Sequence, residues 1–273
     1  MKPLPFVKWA GGKRQLLPEI VKRVPKTFNK YAEPFVGGGA VFFDLSPLDN
    51  AHINDINKAL ITTYIEIRDN PLFLMENLDL FDSKIKEEGK AFYYAKREDY
   101  NRKLVENEYD SELASLFIFL NKHCFNGLYR VNSKGLFNVP YNFSVAASYN
   151  NGNILAVSKA LQKTIITNED FEIASENLKE GDFVFFDSPY APLKNDSFES
   201  YTKEGFSKEN HERLARLFKD LSSRGCLCML TNHNTDFING LYKDYEIEIV
   251  DARRMINSKA SERNGEEIIV CNY

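Results

Sequence analysis

The sequence lacks the features that mark several large classes of protein. No apolar run approaches the roughly 20 residues that a helix needs to cross a bilayer, and the N-terminal stretch has no apolar segment typical of a secretory signal. Cysteine is scarce, with four in 273 residues, and the spacing matches no metal-ligand pattern. Cys226 and Cys228 would lie on one face of a strand, as small core residues do. We therefore expect a reducing, cytoplasmic location, with no membrane and no metal.

Basic residues are not in excess either. The 35 Lys and Arg against 39 Asp and Glu give a net charge of −4, which alone argues mildly against a nucleic-acid partner. A local basic face can still bind phosphates. The candidates for such a face are Lys8, Lys13 and Arg14, then Lys122, Arg130 and Lys134, and finally Arg253, Arg254, Lys259 and Arg263. The GxGxxG pattern of dinucleotide folds is also missing, which disfavours a nicotinamide-dependent dehydrogenase.

The two ends of the chain alternate between strand and helix patterns. Strands are predicted at the starts of the stretches 31–45 and 51–57 and at 164–167, 182–187, 225–233, 245–252 and 266–273, and helices at 14–24 and 207–222. Between these ends, 58–122 has mainly helical patterns, and 126–143 is predicted to be an ordered loop or hairpin. This order predicts an α/β fold with a parallel sheet. We expect one domain from 1–57 and 151–273, and a largely helical insertion at 58–150.

Two polar signals follow predicted strands, where ligands bind in open parallel sheets. The glycines at 37–39 would let the backbone approach a ligand closely, although a tight strand-to-helix turn explains them equally well. Asp55 ends the next strand and could accept hydrogen bonds from ribose hydroxyls, or it could cap the helix that follows. Together the two signals favour a nucleoside-like cofactor and do not demand a dinucleotide.

The stretch FFDSPY (185–190) ends a third strand with an acid, a proline and an aromatic residue. Asp187 would be partly buried and would accept strong hydrogen bonds while ionised. Pro189 holds Ser188 in an extended conformation, so that the Ser188 carbonyl can point the same way as the carboxylate. Tyr190 adds a flat apolar ring. Two acceptors and a stacking face predict a pocket for a planar group that carries an NH2, although a simple strand-ending turn describes most Asp-x-Pro sequences.

Several stretches, taken in order along the chain, resemble one known family. They are FVKWAGGKRQLL (6–17), YAEPFVGGGAVFF (31–43), NKHCFNGLYRVNSKGLFNVPY (121–141), FVFFDSPY (183–190) and GEEIIVCNY (265–273). All are similar to the D12-class (alpha-group) adenine-N6 DNA methyltransferases, and within that class to the Dam and DpnII-type enzymes that modify GATC. The resemblance implies a Rossmann-like, S-adenosylmethionine-dependent methyltransferase sheet with an inserted, mainly helical target-recognition domain that binds double-stranded DNA.

The resemblance also implies roles for individual residues. The S-adenosylmethionine set is Trp9, Ala10, Gly11, Gly12, Lys13, Phe35, Gly37, Asp55, Asp170, Phe171 and Asp187, with Asp55 on the ribose and the 170–171 pair on the adenine. The catalytic set is Asp187, Ser188, Pro189 and Tyr190. In this set the acid and the next carbonyl accept the target N6 amine, and the aromatic ring stacks on the flipped base. No metal or nucleophilic side chain is needed, so His123 and His233 are interpreted as structural.

For DNA, the resemblance implies a set of contacts made by one N-terminal lysine and by the loop near 126–143. The set is Lys8, Phe125, Asn126, Leu128, Arg130, Asn132 and Pro140. Arg130 would pair bidentately with one guanine of GATC, and Lys8 would read the other. Leu128 and Pro140 would lie near thymine methyl groups, and Phe125 near the vacated stack. A phosphate clamp is the alternative role for Arg130.

The sequence departs from the family at two places. Ser188 stands where relatives have the first proline of Asp-Pro-Pro-Tyr, which should make the loop less rigid while the carbonyl stays in place. Relatives commonly carry a Gly-Arg-Tyr type segment where this chain has PYNFSV (140–145), so a phosphate contact there would be missing. A non-catalytic or impaired DNA-binding relative and a cytosine-N4 methyltransferase stay open as alternatives. The chain is expected to be bacterial or phage-encoded, a monomer or weak dimer, and to act separately from any cognate restriction endonuclease.

Overall fold

The computed structural model describes residues 1–9, 11, 16–46, 48–193, 206–253 and 264–273. Its strands are β1 (Tyr31–Glu33), β2 (Ala51–Asn54), β3 (Thr164–Thr167), β4 (Phe183–Phe186), β5 (Leu227–His233), β6 (Glu246–Arg253) and β7 (Asn264–Cys271). In the described residues they form a seven-stranded sheet in the order β3-β2-β1-β4-β5-β7-β6. This order confirms the predicted α/β class with a Rossmann-like sheet.

The sheet is parallel at its centre and antiparallel at one side. β1 pairs in parallel with β2 and β4, and β4 pairs in parallel with β5. β7 runs antiparallel between β5 and β6, which differs from the parallel sheet that the sequence predicted. A parallel connection needs a crossover of about a dozen residues or more, whereas only residues 254–263 separate β6 from β7. The strand order reverses between β1 and β4, so the ligand-binding crevice is expected at their carboxyl ends.

The helices confirm the predicted helical stretches. They are α1 (Leu17–Arg23), α2 (Ala40–Leu45), α3 (Lys58–Asp69), α4 (Pro71–Glu88), α5 (Lys90–Glu106), α6 (Ser111–His123), α7 (Asn151–Leu161), α8 (Phe171–Ser175), α9 (Lys208–Ser223) and α10 (Asp236–Leu241). Ser207 caps α9, as predicted, by accepting a hydrogen bond from the Asn210 amide. Of the helix predicted at 14–24, the first two residues lie outside the described part of the chain. No helix of the described residues is long and apolar enough to span a membrane.

The described chain divides into two compact units. The first comprises Met1–Gly12, Gly37–Asp49 and Asp55–Asn168, and it contains α2 to α7 and β3. The second comprises Lys13–Val36, Asn50–Asn54 and Glu169–Tyr273, and it contains α1, α8 to α10 and the other strands. The predicted helical insertion at 58–150 lies wholly within the first unit. Its assignment as a DNA-binding domain, and that of 1–57 with 151–273 as a catalytic domain, stay predictions.

The second unit is built around β4. All four side chains of Phe183–Phe186 are buried, as expected of a central parallel strand that is covered on both faces. The last of them packs against Phe218 of α9, with ring centroids 6.2 Å apart. Cys226 and Cys228 are buried in the same core, as predicted. This packing fixes the point at which β4 ends, so Asp187, the next residue, has a defined position.

The first unit is built around α6, whose sequence SELASLFIFLNKH is apolar on almost every side. Most of its side chains are buried, because α3, α4 and α5 pack around it. Asp110 caps its start by accepting from the Leu113 amide at 2.9 Å. His123, at its end, is fully buried, with Nδ1 donating to the Ser144 carbonyl at 2.9 Å and Nε2 lying 3.1 Å from Ser148 Oγ. These contacts are those of a structural histidine, as the sequence analysis interpreted it.

The segment 124–143, called here the recognition loop, follows α6 as an ordered loop. Two isolated antiparallel bridges give it a hairpin-like course, Cys124 with Tyr141 and Val131 with Phe137. Asn101 of α5 binds the Phe137 backbone twice, donating from Nδ2 to its carbonyl at 3.0 Å and accepting from its amide at 2.8 Å. The ordered loop or hairpin that the sequence predicted here is confirmed.

Replacing Asn101 by alanine removes both hydrogen bonds to Phe137. Because one such bond stabilises by about 0.5–1.5 kcal/mol net, the recognition loop should be destabilised by about 1–3 kcal/mol. Hydrogen exchange should then show the Phe137 amide exchanging about tenfold faster or more. The control is Arg102→Ala, a half-exposed neighbour that pairs with Glu106 on the same helix and should leave Phe137 protected. Unchanged exchange in Asn101→Ala would show that other contacts hold the loop.

Candidate active site

Asn54 joins the stretch after β1 to the stretch before α8. Its side chain is buried, and Nδ2 donates to the carbonyls of Pro34 and Glu169, both at 3.0 Å. Its Oδ1 accepts from the Glu169 amide at 2.9 Å. One side chain therefore restrains the backbone directly before each of two predicted cofactor contacts, Phe35 and Asp170.

Gly37 is held through both of its backbone polar groups within the first unit. Its amide donates to Asp55 Oδ2 at 3.0 Å, and its carbonyl accepts from the Tyr64 hydroxyl of α3 at 3.0 Å. Its φ is +48°, and a Cβ at this position would lie 2.7 Å from Trp9 Cδ1. Glycine is therefore required by the close approach of the indole as well as by the backbone conformation.

Asp55 accepts hydrogen bonds from backbone amides but does not cap α3. Its Oδ1 accepts from the Asn57 amide at 2.9 Å and its Oδ2 from Gly37. Asn57 is the cap of α3, because its side chain accepts from the Leu60 amide at 3.0 Å. The alternative role of Asp55 as a helix cap is therefore wrong.

The environment of Asp55 fits a ribose. Burial raises the pKa of Asp55, and the hydrogen bonds from Asn57 and Gly37 oppose that shift. A carboxylate offers about four acceptor positions, and the two backbone amides use two of them. The remaining positions can accept from the two hydroxyls of a ribose, which is the contact that the resemblance implied.

Trp9 lies in a stack of aromatic rings within the first unit. Its ring centroid is 5.5 Å from that of Tyr129, with planes at 22°, and 6.1 Å from that of Phe117. Gly11 is exposed. The predicted neighbours Ala10, Gly12 and Lys13 lie outside the described residues. Trp9 is thus positioned by α6 and by the recognition loop.

Three phenylalanines form a cluster in the second unit. Phe35 and Phe171 have ring centroids 5.3 Å apart, and Phe206 lies 5.7 Å from each. Arg213 of α9 donates to Asp170 Oδ1 at 2.8 Å, and its guanidinium carbon lies 4.8 Å from the Phe171 ring centroid. Phe171 is buried, whereas Phe35 is partly exposed. Arg213, which the sequence analysis missed, therefore restrains both residues that are predicted to contact the cofactor adenine.

Asp187 is fixed by the strand next to it. Thr231 of β5, itself fully buried, donates from Oγ1 to Asp187 Oδ1 at 3.0 Å. The next residue, Asn232, accepts from the Ala191 amide at 2.9 Å, and His233 donates from Nδ1 to the Ala191 carbonyl at 2.7 Å. The segment from Asp187 to Ala191 is thus bound at both ends by consecutive residues of β5. Asp187 is partly buried and accepts a hydrogen bond, as predicted.

Tyr190 is held by β5 and β7. Its hydroxyl donates to Glu267 Oε2 at 2.8 Å. Its ring meets the His233 ring edge-on, with centroids 4.8 Å apart and planes at 76°. Burial, followed by the negative charges of Asp187 and Glu267, raises the pKa of Tyr190 well above its usual value. The hydroxyl therefore stays protonated near neutral pH and remains a donor.

Ser188 is buried, at 2% exposure. Among the described residues, no group hydrogen-bonds to its Oγ, and the same is true of Nδ2 of the buried Asn232. The family's proline is thus replaced by a hydroxyl that costs stability. Thr231, Asn232 and His233 make hydrogen bonds to the same segment.

Asn121 of α6 joins Lys8 to the recognition loop. Its buried side chain accepts from the Lys8 amide at 2.8 Å and donates to the carbonyls of Lys8 at 2.9 Å and of Gly127 at 3.1 Å. A Cβ on Gly127 would lie 2.4 Å from Lys8 Cδ, so this close contact also needs glycine. The Lys8 and Phe125 side chains are both exposed. Asn121 therefore brings together two stretches that are predicted to contact DNA.

Arg130 is exposed and restrained by a neighbour in the recognition loop. Its Nε donates to Asn138 Oδ1 at 2.9 Å, which leaves the terminal nitrogens as its remaining donors. Asn132 mainly orders the loop, because its Oδ1 accepts from two backbone amides at 2.9 and 3.1 Å. The other predicted DNA contacts here are Asn126 and Pro140, which are exposed, and Leu128, which is partly buried.

Comparison with known proteins places the chain in a family. Residues 9–256 match the family described as D12 class N6 adenine-specific DNA methyltransferase. The chain belongs to this family. It is 42% identical to the type II methyltransferase M.MjaIII of Methanocaldococcus jannaschii, over 100% of both chains. It is also 42% identical to the type II methyltransferase M1.LlaDCHI of Lactococcus lactis subsp. cremoris, over 98% of this chain and 95% of that one. The DNA adenine methylase of Escherichia coli K12 is 29% identical over 98% of this chain and 94% of its own.

Family membership bears on the alternatives that the sequence left open. The family is described as adenine-specific, which favours adenine-N6 methylation over the cytosine-N4 activity considered above. The family is also one of enzymes, and the non-catalytic alternative keeps only the replacement at Ser188 in its favour.

Among the described residues, no group of three or more His, Cys, Asp or Glu side chains could hold a metal ion.

Sequence reasoning missed the residues that support the motif after β4. The polar run Thr-Asn-His (231–233) ends an apolar strand, which is the same signal that identified Asp187. Glu267 gave no such signal, because it lies within β7, and the antiparallel pairing places it opposite His233 at the end of β5. Its position depends on strand register, which the local sequence does not reveal.

Ser188→Ala should make the methyltransferase more stable without changing its activity. The substitution removes a buried hydroxyl without a partner, and such groups cost about 1–3 kcal/mol, so the free energy of unfolding should rise by about 1 kcal/mol. Methyl transfer should be unchanged, because alanine keeps the backbone carbonyl. Denaturant unfolding and methyl transfer to DNA measure the two effects.

Ser175→Ala is the matched control for that substitution. Ser175 is also buried, but its hydroxyl donates to the Phe171 carbonyl at 2.7 Å, so its removal should bring no gain in stability. A Ser188→Ala protein that lost stability or most of its activity would show that the Ser188 hydroxyl has a functional partner, such as a bound water.

Proposed function

We propose that this methyltransferase transfers a methyl group from S-adenosylmethionine to N6 of an adenine flipped out of double-stranded DNA, within GATC. The observation that carries the proposal is the arrangement after β4. A carboxylate fixed by a buried threonine, the carbonyl of a buried residue and a restrained aromatic ring follow one another at Asp187, Ser188 and Tyr190. Two acceptors and a flat face are the groups that recognise an aromatic amine.

The chemistry of the amine gives each of these residues a role. An adenine inside a duplex cannot reach the end of a buried strand, so the base has to be flipped out. The N6 lone pair is delocalised into the ring, which makes the amine a poor nucleophile. Asp187 and the Ser188 carbonyl accept hydrogen bonds from the two N6 hydrogens and favour a pyramidal nitrogen. They stabilise the positive charge that develops on N6 as the N–C bond forms and the S–C bond of the sulfonium breaks, and one N6 proton is then lost to solvent. Tyr190 stacks on the flipped base.

Several of the predicted cofactor residues make contacts that support their assignment. S-adenosylmethionine supplies an electrophilic methyl group on a sulfonium when it is bound. We assign Asp55 to its ribose hydroxyls, which is supported by the acceptor positions that the backbone amides leave available. Asp170 and Phe171 are assigned to its adenine, which is supported by their restraint through Arg213. The remaining described members of the set are Trp9, Gly11, Phe35, Gly37 and Asp187.

The GATC assignment depends on Lys8 and Arg130. Both side chains are exposed, and asparagines restrain the backbone of Lys8 and the Nε of Arg130. An arginine with a fixed Nε keeps its terminal nitrogens for a guanine edge, where a bidentate contact discriminates by about 1–3 kcal/mol. We assign Arg130 to one guanine and Lys8 to the other.

The relatives suggest a setting for this activity. M.MjaIII and M1.LlaDCHI are both named as type II methyltransferases. We therefore propose that this methyltransferase acts in a restriction-modification system, as a monomer or weak dimer in the cytoplasm. Its counterpart would be a separate restriction endonuclease that cleaves the same, unmethylated site.

Asp187→Ala should lower turnover by about 10²–10³-fold, the usual loss when one group that stabilises a developing charge is removed. Asp187→Asn keeps an oxygen for Thr231 but loses the charge, so its turnover should lie between that of the wild type and that of Asp187→Ala. The measurement is transfer of tritium from labelled S-adenosylmethionine to a GATC duplex, with the methylated nucleoside identified by mass spectrometry.

Asp236→Ala is the matched control, since Asp236 is an exposed aspartate at the start of α10 in the same unit. It should transfer tritium at the wild-type rate. If Asp187→Ala methylated DNA almost fully while binding the cofactor normally, Asp187 would have no part in the reaction. N4-methylcytosine in the product would contradict the assignment of the substrate.

Arg130→Ala should relax specificity at one position of GATC. The variant should lose about 1–3 kcal/mol of discrimination at the guanine that Arg130 reads, and little at the other positions. The measurement is kcat/KM on GATC and on duplexes changed at one position. Lys134→Ala, which removes an exposed lysine of the same loop, is the comparison and should weaken all sites equally. Equal weakening by Arg130→Ala would assign Arg130 to a phosphate instead.

A further inference from the structure

Glu267 and His233 form a cross-strand pair beside Tyr190. They lie directly opposite each other in the antiparallel register of β5 and β7. Glu267 Oε2 accepts from the Tyr190 hydroxyl at 2.8 Å, and the His233 ring lies edge-on to the Tyr190 ring with centroids 4.8 Å apart. The proposed reaction uses neither Glu267 nor His233, so their contacts with Tyr190 call for another explanation.

We infer that Glu267 is a positioning residue which, together with His233, holds the Tyr190 ring in the orientation in which it stacks on the flipped adenine. This inference rests on the proposed function, because it takes the stacking role of Tyr190 as given. It goes beyond that function by assigning a determinant of base positioning to β7.

The side chain of Tyr190 is restrained at both of its ends. At the backbone end, Asn232 and His233 bind the amide and the carbonyl of Ala191. At the far end, Glu267 binds the hydroxyl. A tyrosine has two main rotatable side-chain bonds, and fixing both ends removes the rotamer freedom that an arriving base would otherwise have to restrict.

An oriented ring matters for the rate because it sets where the base lies. The two acceptors at Asp187 and Ser188 act on N6 only if the purine is held at a fixed distance and tilt. A ring placed in advance holds the base in that position without rearrangement during the reaction. Glu267 acts on this geometry through the phenol hydroxyl, so it is a positioning residue.

The restraint also bears on the replacement at Ser188. A proline there would fix one backbone angle of the segment. In this chain, which lacks that proline, side chains of two neighbouring strands bind the segment, Thr231 to His233 on β5 and Glu267 on β7. Loss of the Glu267 contact should therefore change the position of the flipped adenine even though the fold is kept.

The test compares the wild-type chain with Glu267→Ala, Tyr190→Phe and the double variant. Each single change removes one partner of the same hydrogen bond, so each should lower kcat about tenfold, equivalent to about 1.4 kcal/mol in the barrier. The double variant should also be about tenfold slower, not about a hundredfold, because the bond between Tyr190 and Glu267 is already lost in each single variant. Glu267→Gln keeps an acceptor oxygen and should restore most of the rate.

A spectroscopic measurement separates positioning from a general structural effect. A duplex with 2-aminopurine at the target adenine reports the flipped base, whose fluorescence falls when it stacks on an aromatic ring. Glu267→Ala should raise that fluorescence relative to wild type, and Glu267→Gln should return it. The matched control is Glu266→Ala, whose carboxylate is on the opposite face of β7 and binds Asn234. It should leave both kcat and fluorescence unchanged.

Each outcome decides the inference. A wild-type kcat in Glu267→Ala, or losses that multiply in the double variant, would overturn it. If Glu267→Ala does not fold, the other two variants decide. A low kcat in Tyr190→Phe with a kcat near wild type in Glu267→Gln supports the inference. A kcat near wild type in Tyr190→Phe with a low kcat in Glu267→Gln overturns it. In either case wild-type methylation of adenine leaves the proposed function intact, whereas a wild-type chain that methylates no adenine overturns that function itself.

Discussion

The hydrogen bond from Thr231 to Asp187 is the interaction on which the site depends. A carboxylate at the end of a strand that is buried on both faces has few water partners and needs a donor from the protein. β5 supplies that donor next to the last paired position of β4, where Phe186 lies opposite Leu230. Because the next two residues of β5 bind the far end of the same segment, one stretch of strand holds the carboxylate, the carbonyl and the ring in a single arrangement. The Thr-Asn-His run is therefore as much part of the site as Asp-Ser-Pro-Tyr.

In both units, asparagine side chains likewise bind backbone segments outside the regular helices and strands. An amide side chain carries a donor and an acceptor, so it can bind the N–H and C=O of a backbone segment at once. Asn54 binds the stretch before α8 in this way. Asn101 binds the recognition loop, and Asn121 binds the N-terminal stretch. Exposed side chains such as Lys8 and Arg130 are consequently carried on ordered backbone, although they lie outside regular helices and strands. This order would lower the entropy cost of the DNA contacts proposed for these side chains.

Features with a local cause could be predicted from the sequence, and features set by distant register could not. The strands, the helical stretch 58–122 and the acid after β4 follow from hydrophobic periodicity and from the abrupt end of an apolar run. The sequence allowed Asp55 to cap α3, whereas the backbone geometry makes Asn57 the cap. The antiparallel β7, and with it Glu267, depends on pairing between residues far apart in sequence. The missing proline at Ser188 was visible, but the hydrogen bonds that β5 makes to this segment were not.

The central claim is that one carboxylate oxygen and one backbone carbonyl bind the amine of a flipped adenine. A crystal structure of the chain with a GATC duplex and a non-transferable analogue of S-adenosylmethionine tests it most directly. The account predicts the adenine outside the helix, with N6 about 3 Å from both the Asp187 carboxylate and the Ser188 carbonyl and the purine stacked on Tyr190. An adenine bound away from residues 187–190, or one that stays in the stack of a fully engaged duplex, would contradict it.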